Sequence, residues 1–296
     1  MKELVVISGK GGTGKTSVVA GFASLADSKA LADCDVDAAD LHLILEPRNR
    51  SKEPFSGGKI ARIRAGHCIA CAKCEEVCRF GAVFYDGPGN GLYPKTFRID
   101  PIACEGCGVC AWFCAEEAIE FKEAVNGEWF ISDTRCGPMV HARLGVAQEN
   151  SGKLVTLVRE EAKKLAENEN LELVIIDGSP GIGCPVIASI TGANLVLVVT
   201  EPTLSGRHDL ERVLSLTSHF GIRTMVCINK YDLNTDMAGE METFCLEKGV
   251  PVAGRLRYDR AVTEAQVAGK SVVEYSSGGV AGELRSLWRR VSDELR

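Results

Sequence analysis

The sequence predicts an α/β fold, a mostly parallel sheet with helices on both faces, interrupted by a small inserted α+β unit. Three observations carry this prediction. Short apolar runs alternate with longer amphipathic stretches, as strands and helices do in a parallel sheet. A glycine-rich loop separates the first apolar run from the first amphipathic stretch. Two cysteine groups of identical spacing then break the alternation.

LVVIS (4 to 8) is a short continuous apolar run, as expected of a strand buried on both faces. GKGGTGKT follows it, and SVVAGFASLA then suits a helix. KALADCD reads as the next strand and its C-terminal edge, and SKEPFSGGK (51 to 59) as a linker rich in Ser, Gly and Pro. CIACAKCEEVCRFGAV (68 to 83) and CEGCGVCAWFCAEEAI (104 to 119) share spacing and ending, an internal repeat. The turn-rich DGPGNG between them points to a lengthened hairpin. From about residue 124 the α/β texture returns. LELVIIDGSPGIG, ANLVLVVTEPT and RTMVCINKYD each read as a strand and polar loop, with LVTLVREEAKKLAE and DLERVLSLTSHF as helices between them. The expected division is a discontinuous α/β domain, residues 1–58 and 124–296, around an insert at 59–123.

Composition narrows the function classes. A hydrophobic fraction of 45% and a charged fraction of 25% are ordinary for a soluble globular chain. A net charge of -6 argues against a non-specific nucleic-acid partner. No apolar run is long enough to span a bilayer, and the N-terminal residues do not read as a secretory leader, so a membrane role is not expected and a cytoplasmic location is. In a reducing cytoplasm, thirteen cysteines point to metal ligation rather than disulfides.

Gly9-Lys10-Gly11-Gly12-Thr13-Gly14-Lys15-Thr16 fits G-x-x-x-x-G-K-[ST] in its confirming context, after a strand and before a helix. Such a loop turns its backbone N–H groups inward around phosphate oxygens, and the helix N-terminus adds partial positive charge. Lys15 is expected at the β- and γ-phosphates of ATP, Thr16 on Mg²⁺, and Gly9 through Ser17 along the nucleotide. With Lys10 in second place, the loop resembles the deviant Walker A loop of the MinD/ParA/Mrp ATPases and the nitrogenase iron protein. The resemblance implies a homodimer closing around ATP, with Lys10 reaching the partner's phosphates. It also implies that Asp35 orients the attacking water, that Asp33 supports the magnesium, and that Asp177 is the Walker B aspartate. Gly178 to Gly183 would then be the second switch. Asn229 falls where relatives hold the base, and Glu201-Pro202-Thr203 near the nucleotide.

Cys68, Cys71, Cys74 and Cys78 have the spacing C-x2-C-x2-C-x3-C, which Cys104, Cys107, Cys110 and Cys114 repeat. In such runs three thiolates hold one cluster and the fourth serves the other. Cys68, Cys71, Cys74 and Cys114 are therefore expected on one [4Fe–4S] cluster, and Cys104, Cys107, Cys110 and Cys78 on the second. Structural zinc uses separated CxxC pairs instead. The segment resembles a bacterial two-cluster ferredoxin, but Arg79 and Ala115 stand where proline usually follows the fourth cysteine. Cys184 lies seven residues after Asp177, the offset of a dimer-axis cluster ligand in the nitrogenase iron protein. Cys136 is the available second ligand for such a bridge. Cys34, Cys227 and Cys245 read as packing residues.

Leu284, Trp288, Val291 and Leu295 share one face of a C-terminal helix. Its short apolar face and diluted charge suit packing on the domain better than membrane binding. The combined expectation is an ATPase that gates electron transfer to a redox partner. The alternative is an Mrp-like carrier delivering an Fe–S cluster or metal cofactor to an acceptor protein. Spatial organisation, as in MinD and ParA, ranks last because it gives the cysteine insert no task.

Overall fold

The computed structural model describes residues 1–145 and 151–296. The chain opens with β1 (Lys2–Ser8), α1 (Lys15–Leu25), β2 (Lys29–Asp33), α2 (Leu41–Leu45) and β3 (Arg48–Phe55). The cysteine-rich stretch follows as β4 (Gly58–Ile63), α3 (Lys73–Val77), β5 (Val83–Gly87), β6 (Thr96–Ile99), α4 (Val109–Trp112) and β7 (Ile119–Ala124). Next come β8 (Gly127–Thr134), β9 (Gly137–Leu144), α5 (Ser151–Asn168), β10 (Leu173–Pro180), α6 (Cys184–Ile190), β11 (Leu195–Thr200) and α7 (Leu204–His219). The chain closes with β12 (Thr224–Asn229), α8 (Thr235–Glu247), β13 (Val252–Leu256), α9 (Arg260–Val267), α10 (Val272–Tyr275) and α11 (Val280–Leu295).

A nine-stranded sheet runs β13-β12-β11-β1-β10-β2-β9-β8-β3. Pairings from β13 through to β9 are parallel. β8 and β9 are joined by only Arg135 and Cys136, so they form an antiparallel hairpin on this sheet. Both faces are covered. Leu4 and Val6 enter one core with α1, α10 and α11, while the alternate residues Val5 and Ile7 are equally buried on the other side. Parallel strands buried on both faces need apolar residues at every position, which is why LVVI and LVLVV read as continuous runs.

One expectation is overturned. SKEPFSGGK is not a linker: β3 occupies Arg48–Phe55 and β4 begins at Gly58. β3 is an edge strand, nearly all exposed. An edge strand is held by backbone bonds along one side and needs no apolar face, and Lys and Pro are tolerated there. Its polar composition therefore imitates a linker.

The chain divides into two compact units. One comprises Met1–Glu53, Trp129–Arg143 and Ser151–Arg296; the other comprises Pro54–Glu128 with the segment beginning at Leu144. The second unit extends beyond the expected 59–123 because β4 and β7 pair over their full length, from Gly58 with Ala124 to Ile63 with Ile119. The Asn126 side chain also accepts from the backbone N–H groups of Gly57 and Gly58, at 3.1 and 3.2 Å. β5 and β6 form a second antiparallel pair in this unit. One buried apolar cluster in it is Cys68, Val83, Phe97 and Ala118, with Ile63, Ala72, Ile99 and further cysteines packed around it. So small a cluster leaves such a unit dependent on some other cross-link.

Candidate functional site

In the first unit, β1 delivers the glycine loop to the N-terminus of α1. The loop residues Gly11 to Ser17 line a cleft of about 410 Å³ with Asp35, Asn229, Lys230 and Tyr258. Gly14 takes the left-handed φ of +90, and a Cβ there would collide with the Asn229 amide. That amide donates to the Thr13 carbonyl at 2.7 Å. Asn229 thus supports the loop from β12 as well as lining the cleft.

Parallel register sets Asp33, at the end of β2, directly beside Asp177 of β10. The Lys15 ammonium lies 2.5 Å from Asp177 Oδ1 and 3.1 Å from Asp35 Oδ2, and is almost wholly buried. Burial alone would lower the Lys15 pKa, but Asp177 and Asp35 outweigh it and the net shift is upward. Asp33 is raised well above the usual carboxylate range, first by burial and then by the charge of Asp177. Asp35 is raised by burial, with Lys15 opposing. Two carboxylate oxygens in this cluster, Asp33 Oδ2 and Asp177 Oδ2, are buried without a hydrogen-bond partner among the described residues. Thr16 Oγ1 lies 3.5 Å from Lys15 Nζ, beside them. Buried unpaired oxygens are costly unless a further group completes them.

Lys10 does not hang free. Its ammonium pairs with Glu201 at 2.7 Å and reaches Ser205 Oγ at 3.0 Å. Lys230 takes the other Glu201 oxygen at 3.2 Å and donates to the Gly12 carbonyl. Burial would raise the Glu201 pKa, yet the two lysines bring it below its ordinary value. Sequence reading set Glu201 near the nucleotide but did not find this clamp. Its signal, an acid ending the strand beside the loop, was present but unspecific. Ser17 accepts from Gln266 at 3.0 Å, and Ser179 ties β10 to the Cys34 carbonyl at 2.7 Å.

In the second unit the eight motif cysteines sort into two cavities. Cys68, Cys71, Cys74 and Cys114 line one; Cys78, Cys104, Cys107 and Cys110 line the other. The fourth cysteine of each motif is thus carried across to its sister's group. The repeat extends to the backbone. Left-handed φ occurs at Ala70, Ala72 and Gly81 in the first motif, and at the equivalent Gly106, Gly108 and Glu117 in the second. Alanine pays for that conformation by about 1 kcal/mol, so Ala70 and Ala72 persist because the surrounding loop enforces it. Burial pushes the Cys74 thiol up to about 11 and raises Cys110, with neighbouring cysteines of the same cavity adding to both. Among the described residues, no three His, Cys, Asp or Glu side chains converge as a single metal ion would require. Asn90, in the DGPGNG turn, donates to the carbonyls of Ala65 and Cys68, both at 2.9 Å. Sequence reading saw that turn but not its brace on Cys68, a contact spanning 22 residues.

Cys136 and Cys184 occupy unlike settings. Cys136 is buried in the core, its sulfur 3.7 Å from Ser24 Oγ, while Cys184 is exposed at the start of α6. Cys136 is therefore not available as the second ligand of a surface bridge. Cys34, Cys227 and Cys245 are buried as expected. Among the described residues, no helix is long and apolar enough to cross a membrane.

A parallel sheet whose first strand opens into this loop, with acidic residues at the neighbouring strand ends, defines a P-loop nucleotide-binding protein. Residues 4–272 match the CobQ/CobB/MinD/ParA nucleotide binding domain, and the chain belongs to that family. A relative, the uncharacterized protein MJ0578 of Methanocaldococcus jannaschii, is 34% identical over 236 residues, covering 78% of this chain and 79% of that protein. The cell division ATPase MinD of Pyrococcus furiosus shares the fold at 15% identity and a TM-score of 0.58, with 99% of this chain and 98% of that one covered. The septum site-determining protein MinD of Pyrococcus horikoshii, solved with Mg-ADP, matches at 14% identity and a TM-score of 0.55, covering 98% and 95%.

Proposed function

We propose that this protein binds and hydrolyses ATP and uses that cycle to gate electron transfer through two [4Fe–4S] clusters to a redox partner. The observation that carries the reading is the crossed sorting of eight cysteines into two four-cysteine cavities, in a chain of a nucleotide-binding family. Structural zinc uses separated CxxC pairs, whereas this chain repeats a C-x2-C-x2-C-x3-C set. Bound there, the clusters would supply one-electron chemistry at potentials set by hydrogen bonding and exposure. The small cysteine-centred core gives the unit a structural need for them.

The nucleotide reading rests on the loop and on the acidic cluster behind it. Thr16, Asp33 and Asp177 are the residues that would hold Mg²⁺, and the two unpartnered buried carboxylate oxygens suit a hard divalent cation. Lys15 keeps its charge and is the natural counterion for bound phosphates. Asp35 would hold the attacking water, and Lys10 would act in a second copy of the chain. The solved MinD with Mg-ADP supports the view that this fold accepts a magnesium nucleotide.

Gated transfer is tested under anaerobic conditions with the iron-loaded protein and a one-electron acceptor. ATP should accelerate acceptor reduction. Lys15→Ala should abolish nucleotide binding and the acceleration, with iron content unchanged. Asp35→Ala should bind ATP but stall as a dimer, read by light scattering. Acceptor reduction indifferent to ATP would remove the gating, and normal hydrolysis by Asp35→Ala would remove the role given to Asp35.

A second reading, delivery of a cluster or metal cofactor to an acceptor protein, is favoured by the exposure of Cys71 and Cys107, one in each cavity. Transfer of iron and sulfide to an apo-ferredoxin, rather than electrons to an acceptor, would select it.

A further inference from the structure

We propose that Asn90 is a positioning residue for Cys68, so that the hairpin joining β5 to β6 holds the cluster of Cys68, Cys71, Cys74 and Cys114 and not its sister. The proposal rests on the iron–sulfur reading above and goes beyond it by giving the lengthened hairpin a task. The Asn90 side chain uses all of its hydrogen-bonding capacity. Its Nδ2 group donates to the carbonyls of Ala65 and Cys68, both at 2.9 Å. Its Oδ1 accepts from the backbone N–H groups of Leu92 and Tyr93, at 3.1 and 2.9 Å. Turning the amide over would set oxygen against two carbonyls and nitrogen against two N–H groups, so its orientation is fixed. One end of the amide builds the hairpin turn, and the other grips the ligand loop.

Both partners of this contact are ordered by bonds of their own. The Asn90 N–H donates to the Tyr93 carbonyl at 3.2 Å, and Thr96 Oγ1 donates to the Pro88 carbonyl at 2.7 Å. Gly91, next to Asn90, takes the left-handed φ of +86 that the turn requires. Across the contact, the Cys68 N–H donates to the Ala65 carbonyl at 3.1 Å. The two carbonyls that Asn90 reaches therefore belong to one turn, and Cys68 at its end is buried. Fixing that turn fixes the backbone from which the Cys68 thiol projects.

The second motif is held in another way. Gly106 and Gly108 stand where the first motif has Ala70 and Ala72, all four in the left-handed conformation. A Cβ on Gly106 would lie 2.1 Å from the Lys59 carbonyl oxygen, and one on Gly108 would lie 3.1 Å from the Phe121 ring. The second loop thus lays bare backbone on β4 and β7. The methyl groups of Ala70 and Ala72 exclude so close an approach, and the Asn90 amide takes its place. Loss of a hydrogen-bonding group that orients a metal ligand from behind typically costs about 10–100-fold in metal affinity.

The test uses the full chain reconstituted anaerobically with iron and sulfide, and follows the passage of iron to bathophenanthroline disulfonate, a ferrous chelator. Asn90→Asp keeps the oxygen acceptor that shapes the turn and removes both donors. Iron content and visible absorbance are read first; a wild-type chain that takes up no iron overturns this proposal together with the reading beneath it. With iron bound, about half of the iron in Asn90→Asp should leave about ten-fold faster than in wild type, or be missing after reconstitution, and the other half should leave at the wild-type rate. Adding Cys78→Ala should remove the slow half and adding Cys114→Ala should spare it, which places the fast half in the cavity of Cys68. Both halves lost or released faster alike would make Asn90 a support of the whole unit and overturn the proposal. Release unchanged in Asn90→Asp would overturn it equally and leave the iron–sulfur reading standing.

Discussion

At Lys15, one buried ammonium balances a cluster of three aspartates. Its charge is kept because Asp177 and Asp35 together outweigh the cost of burial. A less central group offers the clearer pH test. His141 is buried on β9, its Nε2 is 2.9 Å from Ser132 Oγ, and its ring stacks on Phe130 at 5.0 Å. Burial, with His42 and the Arg143 charge beside it, lowers its pKa to about 4. An unfolded chain takes up that proton near pH 6.5. Between those values the unfolded state binds more protons, so stability is full above about pH 6.5 and is lost as pH falls toward 4. The loss is about 3 kcal/mol. Denaturant unfolding of wild type and His141→Gln should show wild type losing more stability over that range; parallel curves would remove the assignment. The glycine loop and the cysteine repeat were legible as patterns because their spacing is restrictive, while the three aspartates entered through the family resemblance. The Glu201 clamp, the Asn90 brace and the His141–Ser132 pair were not legible. Each is a contact between ordinary polar residues that only the folded chain brings together.

At the scale of elements, the strands on both sides of the loop were legible for a physical reason: burial on both faces leaves a continuous apolar run. The C-terminal helix follows from its apolar face. Leu284, Leu287, Val291 and Leu295 of α11 are buried, and Trp288 meets Phe22 of α1 with ring centroids 4.9 Å apart. Gly21 of α1 leaves room for Leu284, which a Cβ at that position would strike. Leu284→Ala should therefore lower the unfolding free energy by about 2–5 kcal/mol. The denaturation midpoint reads this, and a change under about 1 kcal/mol would show that the site collapses around the loss. Less legible were β3, whose polar edge imitates a linker, and the β8–β9 hairpin, which adds antiparallel strands to an otherwise parallel sheet. In these strands, position in the sheet rather than hydrophobic period decides the composition.

For the whole molecule, a nucleotide-binding family chain carries a second compact unit whose core is built around cysteine. In the folded chain Lys10 is held by Glu201. On the proposed reading, its action in a partner would require that ion pair to open. The central claim, however, is the crossed pair of clusters. It is tested most directly by counting iron per chain after anaerobic reconstitution. Wild type should hold about eight irons, and a variant with Cys68, Cys71 and Cys74 all changed to Ala about four. In that background, adding Cys78→Ala should remove the remaining iron and adding Cys114→Ala should leave it. Iron that survives loss of Cys78 but not loss of Cys114 would contradict the account.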